Sequence, residues 1–291
     1  MPLEEMYPIQ TLAIPALLQE ITDAPKKLTV RGTFPTNSDL KFLSVVGSRK
    51  YTSYGRQACE TLIHGLRGYP VVIVSGLALG IDGIAHQAAL DASLTTVAVP
   101  ASGLSDSVLY PATHRKLARD ILDQGGALVS EFAPDWRPRL ESFPQRNRIM
   151  AGMSHAVLVV EAEYKSGTLI TSKLAGEYNR DVLAIPGPIH STTSQGTHML
   201  IQKGAALIAS SGDILDALGI RKEDLVAQCK IPLHLTAAET SVFALLHEPL
   251  FRDTLVQKLK LPVSEANILL ASLELKGYIT ERLGKVEWRR N

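Results

Sequence analysis

Within Phe143-Pro-Gln-Arg-Asn-Arg-Ile149 an aromatic ring and two fixed positive charges stand together, just ahead of the apolar run Ala156–Val160. Planar guanidinium groups make paired hydrogen bonds with phosphate, and an exposed ring supports a base by stacking. A second phosphate-like signal lies upstream as Val45-Val-Gly-Ser-Arg49. There Gly47 permits a tight exit from a strand, Ser48 supplies a hydroxyl, and backbone N–H groups can surround an anion on which Arg49 closes. An ordinary turn carrying a surface arginine accounts for that triplet equally well. Read together, the two segments form one surface suited to single-stranded nucleic acid.

Other loops carry weaker signals. Ser75-Gly-Leu-Ala-Leu-Gly-Ile-Asp-Gly-Ile-Ala-His86 places Gly76, Gly80 and Gly83 where a backbone or ligand can approach closely. The spacing is neither GxGxxG nor a Walker A loop. Asp82 is a candidate helix cap, and His86 is either packed or ligand-facing, with packing preferred. Gly103 can let a chain pass close, and Tyr110 can stack on a base or anchor its loop beside Pro111. Ser166, Gly167 and Thr168 can receive phosphate at a helix N-terminus; simple capping explains Thr168 as well. Phe143 precedes a proline, which holds its backbone extended; its ring either faces out as a platform or turns in to close the core. Asn147 reads a base edge or ties down its own loop.

Carboxylates at Glu131, Glu161 and Glu163 fall at strand ends, where they either serve hydrolysis or pair with Arg146 and Arg148. No nucleophile–base–acid arrangement emerges, so no catalytic residue is assigned. His190 and His198 are too isolated for a metal site, and no cofactor is expected. The alternative kept open is a nucleotide or nucleoside-phosphate hydrolase using Glu131 or Glu161 to position water.

Composition restricts the choice further. With 291 residues, 45% of them apolar and 5% aromatic, the chain can fill a large Leu/Ile/Val/Ala core and a small second one. A formal charge of +1 confines any nucleic-acid site to a local patch. Cys59 and Cys229 lie far apart and form no CxxC unit, which favours reduced thiols and a cytoplasmic setting. The acidic start, Met1-Pro-Leu-Glu-Glu-Met6, lacks the plan of an export signal, and no apolar run reaches membrane-spanning length.

Something must hold these loops at one edge. Short apolar runs at 42–46, 71–75, 95–99, 127–130, 156–160, 182–185 and 206–209 read as strands. Helical patterns near 54–67, 82–91, 113–123, 145–152, 168–178 and 197–203 fall between them. Such alternation predicts a doubly wound, mostly parallel sheet buried on both faces, with ligands beyond the carboxyl ends of its strands. Residues 1–40 read as a short helical lead-in (Pro15–Ile21) followed by an extended segment, 41–219 as the sheet domain and 220–235 as a linker. Residues 236–291 read as three helices (237–247, 251–258, 263–275) and a hairpin from Tyr278 to Arg289, a winged-helix pattern.

The motifs Gly47-Ser-Arg49, Ser75-Gly-Leu-Ala, Gly80-Ile-Asp-Gly-Ile-Ala-His86, Phe143-Pro-Gln-Arg-Asn-Arg-Ile149, Val159-Val-Glu-Ala162, Ser166-Gly-Thr-Leu-Ile-Thr171 and Pro186-Gly187 together resemble the DNA-processing protein A family, DprA or Smf. That resemblance covers about residues 10–218. It implies an extended Rossmann-like domain followed by a small winged-helix domain, and a non-enzymatic, homodimeric protein. It also implies binding of single-stranded DNA without strong sequence preference, and loading of the RecA recombinase during natural transformation. Family contacts carry over to Gly47, Ser48, Arg49, Gly103, Phe143, Arg146 and Arg148, with Gly76, Ser166, Gly167 and Thr168 completing the expected surface. Leu79, Lys173, Asn179 and His198 depart from the family's usual residues and bear on the DNA path.

Overall fold

The structure, a computed structural model, describes residues 3–221 and most of those between 239 and 288. The chain divides into two compact units, Met1–Ile220 and Arg221–Asn291. Cys229, the expected linker beyond residue 221 and most of the expected helix 237–247 lie outside the described residues.

In the first unit the strands are β1 (Gln10–Leu12), β2 (Leu28–Gly32), β3 (Lys41–Val46), β4 (Val71–Ser75), β5 (Thr96–Ala98), β6 (Ala127–Ser130), β7 (Ala156–Val159), β8 (Asp181–Ala184) and β9 (Ala206–Leu207). They make one nine-stranded sheet in the order β1-β2-β6-β5-β4-β3-β7-β8-β9. All pairings from β6 to β9 are parallel, while β1 and β2 run antiparallel at one edge. The helices are α1 (Leu3–Met6), α2 (Ala16–Gln19), α3 (Ser53–His64), α4 (Ile81–Asp91), α5 (Arg115–Asp123), α6 (Ser142–Met153), α7 (Thr168–Glu177), α8 (Gln195–Gln202) and α9 (Ser211–Ala217).

The two-residue alternation of side chains along each strand builds a core on either face of the sheet. Leu43, Val45, Ile73 and Leu158 meet Cys59, Leu62 and Ile63 of α3, Ala85 and Ala89 of α4, and Ile214 of α9. Val46, Val72, Val74 and Val159 face the other way, towards Ile149, Met150 and Met153 of α6 and Ala175 of α7. This is the Rossmann-like, doubly wound arrangement expected from the apolar runs. Cys59 is buried and forms no disulfide among the described residues, and burial pushes its thiol far above the ordinary range.

Two features go beyond the sequence reading. The first 40 residues supply two strands, and β2 pairs with β6 through Thr29↔Ser130 to Gly32↔Ala127. The segment is fastened by Arg31, which is fully buried; its Nε donates to the Tyr7 carbonyl at 3.0 Å, and its Nη1 pairs with Asp106 at 2.7 Å. Second, Phe143 to Ile149 is not a loop. It forms the first two turns of α6, one turn earlier than the expected start at 145.

The second unit has its own small core of Val242, Leu246, Leu255, Leu270, Leu273, Ile279 and Val286. Helices Arg252–Leu259 and Val263–Leu275 precede a wing of two strands, β11 (Ile279–Arg282) and β12 (Lys285–Trp288). β12 also pairs with β10 (Leu250–Phe251), giving a three-stranded antiparallel sheet in the order β10-β12-β11. This is the winged-helix-like region expected from the sequence.

Candidate nucleic-acid interface

After β3 the chain winds towards β4, β5 and β6; after β6 it crosses back to β7 on the opposite side of β3. The carboxyl ends of β3 and β7 therefore part at the switch point of the sheet, where doubly wound folds place their ligands. A trough of about 530 Å³ opens there, lined by Gly47, Ser48, Arg49 and Lys50 from the β3 exit and by Ser166, Gly167 and Thr168 ahead of α7. Phe143, Arg146 and Asn147 of α6 line it as well, along with Leu140.

Gly47 at the β3 exit and Gly80 just ahead of α4 are both demanded by packing. A side chain on Gly47 would overlap Ile81 at the start of α4. Gly80 has φ +86° and would press a Cβ against the backbone of Ser48 and Arg49. Ser48 is buried, and its hydroxyl is engaged with the backbone of Lys50, donating to its carbonyl at 2.9 Å and accepting from its N–H at 3.0 Å. Ser48 therefore shapes the turn, and Arg49 and Lys50 are left exposed at its tip. The Arg49 guanidinium lies 4.9 Å from the centroid of the Phe143 ring. Tyr110 meets the same ring edge-on at 6.2 Å. Phe143 is half-buried: Tyr110 braces its ring, which borders the trough.

Arg146 and Arg148 differ from expectation. Neither is an exposed rim charge. Arg146 is only 4% exposed. Its Nη1 donates to the Val99 carbonyl at 2.8 Å and lies 3.8 Å from Asp82. Its guanidinium sits in the trough floor, over the space that Gly76 leaves open; a Cβ on Gly76 would overlap it. Among the described residues the buried Nε of Arg146 has no hydrogen-bond partner. Asp82, rather than capping α4, accepts the Gly76 N–H at 3.1 Å and faces Arg146. Burial pushes the Asp82 carboxyl above its ordinary value, with Arg146 opposing, and burial pulls Arg146 down, with Asp82 opposing. Gly76 thus serves the site by housing a guanidinium.

Arg148 points away from the trough because it stands two positions after Arg146 on α6, a rotation of about 200° about the helix axis. It is held by the Asp23 carbonyl and the Glu131 carboxylate. Gly103 is also a correction. It is buried, its N–H donates to the Trp136 carbonyl at 2.9 Å, and a Cβ would overlap the carbonyls of Ala133 and Pro134. The chain passing close to Gly103 is the protein's own 133–136 loop.

At the other wall the Ser166 hydroxyl accepts the Thr168 N–H at 3.2 Å and contacts its hydroxyl at 3.0 Å, so these residues cap one another. Gly167 has open space around its Cβ position. His86 is packed: its Nδ1 lies 2.7 Å from the Thr96 hydroxyl, and burial lowers its pKa to about 3. Glu161, buried, accepts from the Thr52 N–H at 2.9 Å and from the Thr52 and Thr193 hydroxyls at 2.6 and 2.9 Å. It anchors the start of α3. Glu131 is committed to Arg148, so the two carboxylates kept for a hydrolase are engaged in separate structural tasks.

Sequence reasoning missed Asp82 as the counter-charge to Arg146. Its signal was the spacing of Gly76 and Asp82, a flexible exit followed by an acid in the first turn of the next helix. It also missed Lys50, next to Arg49, and the stacking on Trp136 of Arg139, a residue it had counted only as part of the local concentration of charge. Among the described residues no group of three His, Cys, Asp or Glu could hold a metal ion, and no helix is long and apolar enough to cross a membrane.

Similarity to known proteins agrees with this geometry. Residues 226–285 match the family model described as the DprA winged helix domain. The chain is 46% identical over 218 residues to the protein Smf of Escherichia coli K12, covering 74% of this chain and 54% of that one. It thus spans about half the length of that relative. It is 44% identical over 200 residues to the DNA processing protein DprA of Streptococcus pneumoniae R6, covering 68% of each chain. Among solved structures, DprA from Streptococcus pneumoniae superposes with a TM-score of 0.65 at 41% identity, over 72% of this chain and 74% of that one. DNA processing protein A from Helicobacter pylori, solved for its single-stranded DNA binding mode, superposes with a TM-score of 0.66 at 31% identity, over 75% and 98%. With residues 5–219 matching the family model for the DNA recombination-mediator protein A, the chain belongs to that family.

Proposed function

We propose that this protein binds single-stranded DNA in the trough between the ends of β3 and β7 and acts as a recombination mediator in natural transformation, without catalysing a reaction. The observation that carries this reading is the Arg49–Phe143 stack at the mouth of a trough whose floor is a second guanidinium, Arg146. Arg49 and Lys50 are exposed and supply phosphate contacts, while Phe143 offers a surface to an unpaired base. The faces of duplex bases are already stacked, so this combination favours a single strand. Arg146 holds positive potential beneath the strand and shapes the floor; Gly47 and Gly167 keep the walls low.

Recognition by backbone charge makes binding tolerant of sequence and sensitive to salt. The proposed partner downstream is the RecA recombinase, loaded in the cytoplasm onto the strand that the protein holds. As a homodimer it presents two troughs, and a strand spanning both gains avidity. The test is a salt titration with single-stranded and duplex DNA of equal length, with RecA filament formation followed alongside. The reading requires preference for the single strand, a steep loss with salt and faster filament formation. Equal affinity for duplex and single strand would overturn it.

A further inference from the structure

A second guanidinium–aromatic stack stands beside the trough, outside the surface assigned above. Phe132 and Trp136 are stacked with centroids 5.7 Å apart and planes 9° from parallel, and the Arg139 guanidinium lies 4.8 Å from the Trp136 ring. The stack is locked to α6 at Ser142, whose hydroxyl accepts both the Trp136 Nε1–H at 3.2 Å and the Arg139 N–H at 3.1 Å. Gly103 braces it from below by donating to the Trp136 carbonyl. Ser142 is buried and adjoins Phe143, so both stacks are fixed to the same helical turn. Between them Leu140, 86% exposed, forms part of the trough wall.

An ordinary surface arginine is free to sample many rotamers. Here the backbone N–H of Arg139 is pinned and its planar group already rests on an indole, so little further order is lost when a second plane settles on it. Guanidinium planes stack on nucleobases as they do on aromatic side chains. We infer that Phe132, Trp136 and Arg139 form an outlying platform: a base leaving the trough across Leu140 stacks on Arg139, whose charge also meets the adjoining phosphate. This lengthens the strand path past the Arg49–Phe143 stack, and it rests on the single-strand reading of the trough.

The chain has two tryptophans, Trp136 and Trp288. In the full-length Trp288→Phe protein the remaining indole reports on the platform. Binding of an oligothymidylate should alter Trp136 emission, whereas an abasic sugar–phosphate strand of the same length should bind and leave it unchanged. In the otherwise unaltered chain, Arg139→Lys keeps the charge and removes the plane. It should weaken the base-bearing strand about fivefold or more and leave the abasic strand unaffected. A silent Trp136 and an unaltered Arg139→Lys protein, with Arg49→Ala still impaired, would overturn the platform while the trough stands. If the unmodified protein holds neither strand, the single-strand reading itself falls and the platform with it.

Discussion

The Arg49 guanidinium lies over the ring of Phe143, joining the β3 exit to the first turn of α6 across the mouth of the trough. In the proposed binding mode Arg49 contributes the phosphate-directed charge and Phe143 the base-directed plane, and the contact fixes the orientation of each. At exposed sites such a contact is worth about 0.5–1 kcal/mol.

Arg49→Ala should weaken binding to single strands of differing sequence by similar factors. It should also reduce the slope of log affinity against log salt by about 0.7. Arg49 is exposed, so thermal stability should change little. Fluorescence anisotropy across a salt series measures both quantities, and an unchanged slope would remove Arg49 from the interface.

Phe143→Leu should preserve the fold and reduce affinity for base-bearing strands by roughly five-fold or more, with little effect on abasic ones. Because the ring also orients Arg49, the Arg49→Ala and Phe143→Leu effects should be less than additive. A double-mutant cycle reads this directly. Strict additivity would mean the two residues act on DNA independently.

Arg146 is predicted to behave differently from Arg49. Removing it leaves Asp82 buried without its counter-charge, a loss of about 3–5 kcal/mol in comparable buried pairs. Arg146→Ala should therefore lower the denaturant midpoint sharply. Gly76→Ala should destabilise too, by driving a Cβ into the space the guanidinium occupies. Chemical denaturation of both variants checks this. An Arg146→Ala protein as stable as the parent would show the pair to be dispensable.

His86 makes stability depend on pH. Its folded pKa, lowered to about 3 by burial, lies below the ordinary value of 6.5, so the unfolded chain binds the extra proton between those limits. Its contribution is complete above pH 6.5 and is lost as pH falls towards 3, with a slope approaching ~1.4 kcal/mol per pH unit. His155, also lowered by burial, acts in the same direction; Asp82 and Glu131, raised by burial, act in the opposite one. The informative comparison is therefore His86→Gln against the parent between pH 5 and 6.5. The variant should show the shallower loss on acidification.

The parallel strands were legible because β3, β4 and β7 are buried on both faces and read as apolar runs, interrupted within β3 only by Ser44. β1 and β2 were not, since Gln10-Thr-Leu12 and Leu28-Thr-Val-Arg-Gly32 mix polar and apolar residues at a sheet margin. Arg49, Phe143 and Ser166–Thr168 were legible as a set because strand ends and helix starts converge at a switch point. The fates of Arg146, Arg148 and Gly103 were not. Their roles turn on which side of α6 each arginine takes and on which loop fills the space at Gly103, and residue type does not encode either.

The fastening of β2 through Arg31 has a practical consequence for dissecting the chain. A version begun at residue 41, where the parallel run opens, would strip the partner from β6 and leave that strand's hydrogen-bonding margin bare. Asp106 would lose its buried guanidinium and Asp123 the Tyr7 hydroxyl that now reaches it at 2.8 Å. Such a fragment would tend to associate edge to edge with its own copies, and an oligomer formed through that bared margin would be an artefact of trimming, distinct from the homodimer proposed above.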